Sequence, residues 1–352
     1  MLAALWHCGM KGAGMASNFR AARAALFAAT LTVLAAAAPA TEIEDQSRAL
    51  QRAREAVVGI EVQAVEGARS ATTLGPQRRG SGVLIGSDGL VLTIGYLVLE
   101  AEHIVVVTDA GRRVPARVVA YDQATGFGLV QALLPLGSLP APLGDSSGPF
   151  NDTAATVVSG GQDGEVSPVR LLSRRAFSGF WEYHVEGALF AAPPAALHSG
   201  AGLFNERGEL LGVGSLAVPD ALGPGQPRTA GNMFVPVDLL KPILDELRQR
   251  GLSQASVRAW MGVNCVEQEG QVRVARITDD SPAEVAGLQV GDRITRLDGI
   301  KVSALAQLWK ALWADSRSER AVLLEIERGG RPMNITVHTV DRAKTLRRAQ
   351  GI

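Results

Sequence analysis

The stretch Leu197-His198-Ser199-Gly200-Ala201-Gly202-Leu203-Phe204, continued by Asn205-Glu206-Arg207-Gly208-Glu209-Leu210-Leu211-Gly212-Val213, carries much of the information about the fold. A serine lies between small residues on a tight turn. The apolar residues 202–204 and 210–216 flank a polar turn, a pattern that predicts a β-hairpin. The rest of the chain decides whether Ser199 can act as a nucleophile.

The composition predicts a mainly β protein of two or three domains. Of the 352 residues 47% are hydrophobic, enough for more than one core. The 39 glycines and the low aromatic content of 5% suit short strands joined by many turns. Because 35 basic residues balance 35 acidic ones, no net charge points to nucleic acid or to an anionic surface.

Residues 1–40 are predicted to be an export signal. Two arginines precede an apolar run over residues 24–38, and Ala38-Pro39-Ala40 offers small residues at the cleavage positions. The run is short for a membrane span, which favours cleavage before Thr41 over the alternative of an uncleaved anchor. Export would place the protein in the bacterial periplasm.

Short apolar segments predict two antiparallel barrels after a charged lead-in, residues 41–56. The N-terminal barrel is predicted over residues 57–149, and Asp88-Gly89 marks its first hairpin. The C-terminal barrel is predicted over residues 150–252. Its strand candidates are 154–158, 166–172, 181–185, 202–204, 210–216 and 233–235. A closing helix is predicted over 238–250, where Gly251 supplies the stop.

A third domain is predicted over residues 256–341, followed by a tail, 342–352. The run from Ser281 to Leu288 predicts a short helix, with proline at its start and glycine at its end. Ser303 is predicted to cap a second helix. The apolar face of that helix consists of Leu305, Leu308, Trp309 and Leu312. Cys265 alternates with apolar neighbours and is predicted to be a buried strand residue.

Residues 55–340 resemble the HtrA (Deg) family of serine proteases. The Ser199 turn is similar to that family's Gly-Asn-Ser-Gly-Gly-Pro-Leu pattern, with Leu197 at the first glycine. The run from Ser281 to Ile294 resembles, with high specificity, a circularly permuted bacterial PDZ domain. The resemblance implies a mainly β fold, a trypsin-like double six-stranded β-barrel followed by an α+β PDZ domain, and makes a trimer plausible.

The resemblance also implies that two of three triad groups are missing. Tyr96 stands at the family's histidine position, in Leu92-Thr93-Ile94-Gly95-Tyr96, and Gly126 stands at its aspartate position. A phenol with an ordinary pKa of about 10 is a very weak base at pH 7. By precedent, loss of one triad member lowers kcat by a factor on the order of 10⁶.

Neither the histidines nor the loop before Ser199 offers a replacement. His198 is predicted to be an exposed turn residue, and the other histidines beyond the signal, His103, His184 and His338, have no obvious role and no metal-ligand spacing. In the family, the amides of the serine and of the glycine two residues earlier form the oxyanion hole, here Ser199 and Leu197. A branched side chain resists the backbone angles that glycine accepts. Ser199 is therefore predicted to be a vestigial nucleophile, and no cofactor is expected.

The PDZ domain offers the second candidate site. Trp260-Met261-Gly262-Val263 is similar to the family's carboxylate-binding loop, in which backbone amides capture a peptide C-terminus. Met261, Leu305 and Leu308 would line a pocket for an apolar last side chain. Peptide binding is favoured over the alternative that the domain packs internally against a barrel.

The sequence thus predicts a periplasmic HtrA-like protein with a degenerate protease site. It would bind C-terminal or unfolded polypeptide segments in envelope protein quality control, or regulate active proteases of the family. Two alternatives stay open. Ser199 could serve an active endopeptidase with an unrecognised base, or the chain could join active HtrA subunits in mixed assemblies.

Overall fold

The computed structural model describes residues 43–148, 150 and 152–347, so the predicted export signal lies outside the described residues. Residues 43–56 form helix α1. The sequence suggested no apolar stripe here, which the structure corrects, because Ala49, Ala53 and Ala56 are buried at helical spacing. Within the described ranges, no helix is both long and apolar enough to cross a membrane.

The first barrel is a closed sheet in the order β1-β2-β3-β6-β5-β4. Its strands are β1 (Val57–Ala64), β2 (Gln77–Leu84), β3 (Leu90–Ile94), β4 (Ala101–Val107), β5 (Arg113–Tyr121) and β6 (Phe127–Ala132). Two one-turn helices, α2 (Ala71–Leu74) and α3 (Gly95–Val98), lie between the strands. The hairpin between β2 and β3 turns at Asp88-Gly89, as predicted.

The second barrel is also closed, in the order β10-β11-β12-β9-β8-β7. Its strands are β7 (Thr153–Val158), β8 (Val166–Ser178), β9 (His184–Ala192), β10 (Gly202–Phe204), β11 (Leu210–Val218) and β12 (Gly231–Pro236). The strand predicted over 181–185 is misplaced. Residues 188–192 are all buried, so they show no alternation, and Trp181 pairs outside the barrel.

The closing helix is shorter than predicted. A 3-10 turn, Val237–Leu239, precedes helix α4 (Leu244–Arg250), which ends at Gly251 in the left-handed conformation as expected. Pro242 explains the interruption, because it lacks an N–H to donate and its ring crowds the preceding turn.

The third domain consists of a six-stranded sheet, a separate two-stranded sheet formed by its first and last strands, and two helices. Its strands are β13 (Ala259–Trp260), β14 (Val263–Gln268), β15 (Gln271–Ile277), β16 (Arg293–Leu297), β17 (Ile300–Lys301), β18 (Ala321–Arg328), β19 (Arg331–His338) and β20 (Val340–Asp341). Cys265 is buried on β14, as predicted. A short 3-10 turn, Gln254–Ser256, leads into this domain, and another, Arg342–Lys344, follows β20.

The two helices of this domain are α5 (Pro282–Val285) and α6 (Leu305–Leu312). The Glu284 amide donates to Ser281 Oγ, which caps α5 as predicted. The predicted cap of α6 is wrong, because Ala304 occupies the N-cap position. The Ser303 hydroxyl instead donates to Gln307 Oε1 at 2.9 Å.

Candidate active site and peptide groove

Tyr96 and Ser199 lie together, as the resemblance implies. Tyr96 is on α3 and Ser199 is on the turn before β10, and the phenol oxygen is 2.8 Å from Ser199 Oγ. The phenol oxygen is also 2.9 Å from the Ser215 carbonyl oxygen. A carbonyl can only accept, so when the single phenol proton goes to Ser215, the serine hydroxyl must donate to the phenol. The 2.8 Å separation between the phenol oxygen and Ser199 Oγ is within the hydrogen-bond reach that a general base requires.

The phenol cannot perform the histidine's chemistry at neutral pH. Burial raises the pKa of Tyr96 to about 12, while the hydrogen bond with Ser199 acts in the opposite direction. At pH 7 the ionised fraction of a group with that pKa is about 10⁻⁵. A neutral phenol that already binds a carbonyl does not take a proton from serine. The contact between Tyr96 and Ser199 is therefore structural.

Gly126 is a tight turn next to this pair. Its carbonyl accepts from the amide of Gly95, the residue before Tyr96, at 2.7 Å. Gly126 has a φ of 81°, a conformation that side chains rarely adopt. An added Cβ would lie 3.3 Å from the ring and from the hydroxyl of Tyr183.

The Tyr183 side chain packs against Gly126. The side chain is buried, and its hydroxyl donates to the Thr125 carbonyl at 2.7 Å. Burial raises the pKa of this phenol far above its ordinary value. The nearby Asp122 carboxylate accepts from the Thr125 amide at 2.9 Å and from its hydroxyl at 2.6 Å, so it is engaged in its own turn.

In the part of the chain that the structure describes, no histidine is hydrogen-bonded to Ser199. His198 directs Nδ1 toward the Ala195 carbonyl oxygen, 3.3 Å away within the same turn. His184 has Nε2 3.1 Å from the Glu186 carboxylate. The remaining two, His103 and His338, are exposed on strands of separate domains.

The turn that precedes Ser199 is anchored through its backbone. The Ser199 carbonyl accepts from the Ser81 amide at 2.8 Å, and the Gly200 amide donates to Gly214 at 2.8 Å. Leu197 is 44% exposed and has no positive φ. A cavity of about 420 Å³ opens beside Leu197 and Ser199, toward residues 160–163. Ser199 therefore borders this cavity, and among the described residues the hydrogen-bond partner of its side chain is Tyr96.

The predicted carboxylate-binding loop contains a glycine in a left-handed conformation. Gly262 has a φ of 89°, and an added Cβ would lie 2.2 Å from Ser281 Cβ, so only glycine fits. The side chains that would line the pocket, Trp260, Met261, Val263 and Leu308, are buried, and Leu305 is half-buried.

This loop is not open to solvent, which corrects the expectation of a free site. The buried Glu182 carboxylate occupies it and accepts hydrogen bonds from three backbone amides. Oε2 is 2.9 Å from the Met261 nitrogen, and Oε1 is 2.6 Å from Gly262 and 3.0 Å from Val263. Desolvation raises the pKa of Glu182 to about 7, while the three amides act in the opposite direction.

The PDZ domain thus packs against the second barrel, the alternative that the sequence left open. Glu182 lies between β8 and β9, about 80 residues from the loop that it contacts. The sequence analysis did not identify Glu182 as a site residue. The only signal was weak, because it consists of one acidic residue directly after Phe180-Trp181. Glu182, which occupies the groove, directly precedes Tyr183, which packs against Gly126 at the candidate active site.

Comparison with known proteins gives two domain matches. A trypsin-like peptidase domain matches residues 80–213, and a PDZ domain matches residues 259–339. The Synechocystis sp. protein HhoA, named as a serine protease, is 30% identical over 288 residues, covering 74% of this chain and 70% of its own length. The serine endoprotease DegS of Haemophilus influenzae is 25% identical, covering 73% and 76%.

Other relatives are longer, and the solved structures agree in fold. The chain spans 56% of a DegP-like protein of Halomonas elongata, named as a periplasmic serine endoprotease, with 27% identity. The HtrA-type protease AlgW with decapeptide superposes at a TM-score of 0.53 with 19% identity, covering 84% of this chain and 98% of AlgW. At this identity the likeness establishes the fold alone.

Proposed function

The chain belongs to the HtrA family of trypsin-fold serine proteases with a PDZ domain, and on that premise we propose that it is a non-catalytic member that binds polypeptide C-termini. The observation that carries the loss of catalysis is Tyr96, which is hydrogen-bonded to Ser199 at 2.8 Å where a general base is needed. A second observation supports it, because Gly126 and Tyr183 fill the aspartate position without a carboxylate.

The PDZ loop supports the binding half of the proposal. Its three amides converge on a carboxylate, which is the group that a free C-terminus would supply. The groove beside them has an apolar floor that includes Met261 and Leu308. Such a site suits a protein that captures exposed C-termini or unfolded segments, as an adaptor, a holding chaperone or a regulator of active HtrA subunits.

The test of catalysis compares residues 41–352 with Ser199→Ala, using labelled casein at pH 7 beside an active HtrA protease. We expect both proteins to leave casein intact. A fluorophosphonate probe should likewise fail to label Ser199, because labelling requires an activated serine. Cleavage that disappears in Ser199→Ala would contradict the proposal and establish the alternative of an active endopeptidase.

The regulatory role has its own test. Casein cleavage by an active HtrA protease should change when the chain is added, and the change should persist with Ser199→Ala. We also propose export to the periplasm with cleavage before Thr41, and assembly as a trimer. Mass spectrometry of the periplasmic protein and light scattering in solution test these two statements.

A further inference from the structure

We propose that Gly179–Glu182, here called the internal segment, is a built-in ligand of the PDZ groove, and that a free polypeptide C-terminus binds only by displacing it. The inference rests on the proposed peptide-binding function, and it names how that function is regulated. It follows from three separate sets of contacts, at the loop, along β14 and at α6.

The first set is at the carboxylate-binding loop. A peptide C-terminus presents two oxygens to backbone amides, and the Glu182 side chain presents the same group. Oε1 accepts from Gly262 and Val263, while Oε2 accepts from Met261. Glu182 is 4% exposed, so a second carboxylate has no room beside it.

The second set pairs the internal segment with β14 as an added strand. The Cys265 amide donates to the Phe180 carbonyl at 2.6 Å. Trp181 and Asn264 form an antiparallel bridge. Antiparallel pairing makes the segment run toward the loop, so that it ends with Glu182 in the carboxylate position. This is the direction in which a C-terminal peptide extends the sheet of a PDZ domain.

The third set closes the groove from the helix side. Trp309, fully buried on α6, donates from Nε1 to the Gly179 carbonyl at 3.0 Å. The internal segment therefore lies between β14 and α6, the two elements that form the walls of the groove.

Displacement of the internal segment would also change the packing next to the candidate active site. Trp181 stacks on Tyr183, with ring centroids 5.7 Å apart and planes at 12°. Tyr183 is the side chain that covers Gly126 and donates to Thr125. Occupation of the groove by an external peptide is thus coupled, through two adjacent residues, to the packing around the triad position.

An internal ligand competes at a high effective concentration. For a short connection that concentration is on the order of millimolar. An external peptide of equal intrinsic affinity must therefore reach about the same concentration to occupy half of the sites. The parent protein should bind C-terminal peptides weakly, and it should bind them tightly once the internal segment is weakened.

The experiment uses residues 41–352 and a labelled octapeptide copied from residues 175–182, Arg-Ala-Phe-Ser-Gly-Phe-Trp-Glu, with a free C-terminus. Glu182→Ala removes the internal carboxylate, and Glu182→Gln removes its charge at nearly constant size. Glu186→Gln is the matched control, because it alters an exposed carboxylate on the same hairpin. Circular dichroism checks that each variant is folded.

We expect Glu182→Ala to bind the octapeptide at least about tenfold more tightly than the parent, since the competitor is gone. Glu182→Gln should lie between them, and Glu186→Gln should match the parent. An amidated octapeptide ending in Gln, which carries no carboxylate, should bind none of them. Hydrogen exchange at residues 261–265 should rise in Glu182→Ala before any peptide is added.

Peptide affinity and hydrogen exchange together distinguish the internal-ligand inference from the proposed capture of C-termini. Unchanged exchange and unchanged affinity in Glu182→Ala would overturn the internal ligand. Raised exchange without binding of the octapeptide would support the internal ligand and would contradict the proposed capture of C-termini.

Discussion

The serine site and the PDZ groove differ in the group that occupies each of them. At the serine site Tyr96 is hydrogen-bonded to Ser199 at 2.8 Å, and burial raises the pKa of its phenol to about 12. At the groove three amides bind a carboxylate that belongs to the chain itself. On the proposed function, the first site would lack a general base, whereas the second would hold an internal ligand that a competing peptide can displace.

The largest predicted loss of stability comes from adding a side chain at Gly262 in the loop of the groove. We expect Gly262→Ala to lower the free energy of unfolding by about 4 kcal/mol, because left-handed strain adds to a Cβ 2.2 Å from Ser281. Gly270→Ala is the control, with a φ of 68° and nothing within 4 Å of the added Cβ. It should lower the free energy by about 1 kcal/mol. Urea unfolding measures both, and equal effects would mean that the loop is not tightly packed.

A raised pKa distinguishes the buried Glu182 carboxyl group from an ordinary surface carboxyl group. The pKa of Glu182 is raised from 4.5 to about 7, with Arg342 opposing the rise and the buried Cys265 nearby. The docked segment therefore binds a proton more tightly than the free one. Its extra stability is complete below pH 4.5 and is lost as the pH rises to 7, by about 3 kcal/mol at most.

Opening of the internal segment, measured by hydrogen exchange corrected for intrinsic rates, should accordingly increase from pH 4.5 to 7 and level off above. Glu182→Gln should remove this dependence, because its amide does not titrate. A parent profile that is flat over that range would contradict the burial of a carboxylate at the loop.

Restoring an aspartate tests the serine site. We expect Gly126→Asp to lower the free energy of unfolding by about 2 to 3 kcal/mol, because it combines a φ of 81° with crowding against Tyr183. Gly137→Asp, with a φ of 82° and open space, is the matched control and should lower it by about 1 kcal/mol. Thermal unfolding compares them. If Gly126→Asp with Tyr96→His cleaves casein, Tyr183 does not block the position as described.

The smallest effect concerns the helix wall of the groove. Trp309→Phe removes the hydrogen bond to Gly179 and should lower the free energy of unfolding by about 1 kcal/mol. Trp313→Phe removes a comparable bond to Ala259, which is not part of the internal segment. Only the first variant should raise hydrogen exchange at residues 179–182. Equal exchange in both variants would show that Trp309 does not hold the segment.

The fold could be predicted from the sequence where local signals are strong. Asp88-Gly89 marked a hairpin, and the run from Ser281 to Leu288 marked a capped helix. The misplaced strand at 181–185 shows the limit, because residues 188–192 of β9 are buried on both faces and Trp181 pairs with another domain. The closing helix was overextended, since Pro242 interrupts it by a backbone effect that periodicity does not register.

The residues of the candidate serine site could be predicted from the sequence, whereas the occupation of the groove by Glu182 could not. Tyr96 and Gly126 follow from short motifs. The structure places Tyr96 against Ser199, and Gly126 against Gly95, the residue before Tyr96. Occupation of the groove depends on Glu182, whose partners lie about 80 residues away. No local pattern encodes a contact between domains, so the sequence left internal packing as an alternative that only the structure could decide.

The most direct test joins the two regions. Casein degradation by Glu182→Ala should be measured beside Glu182→Ala with Ser199→Ala, in the presence of the octapeptide with a free C-terminus. The account predicts that neither protein cleaves casein, because release of the internal segment supplies no base to Ser199. Cleavage by the first that is absent from the second would contradict it, and would make the chain a protease that its own internal segment holds inactive.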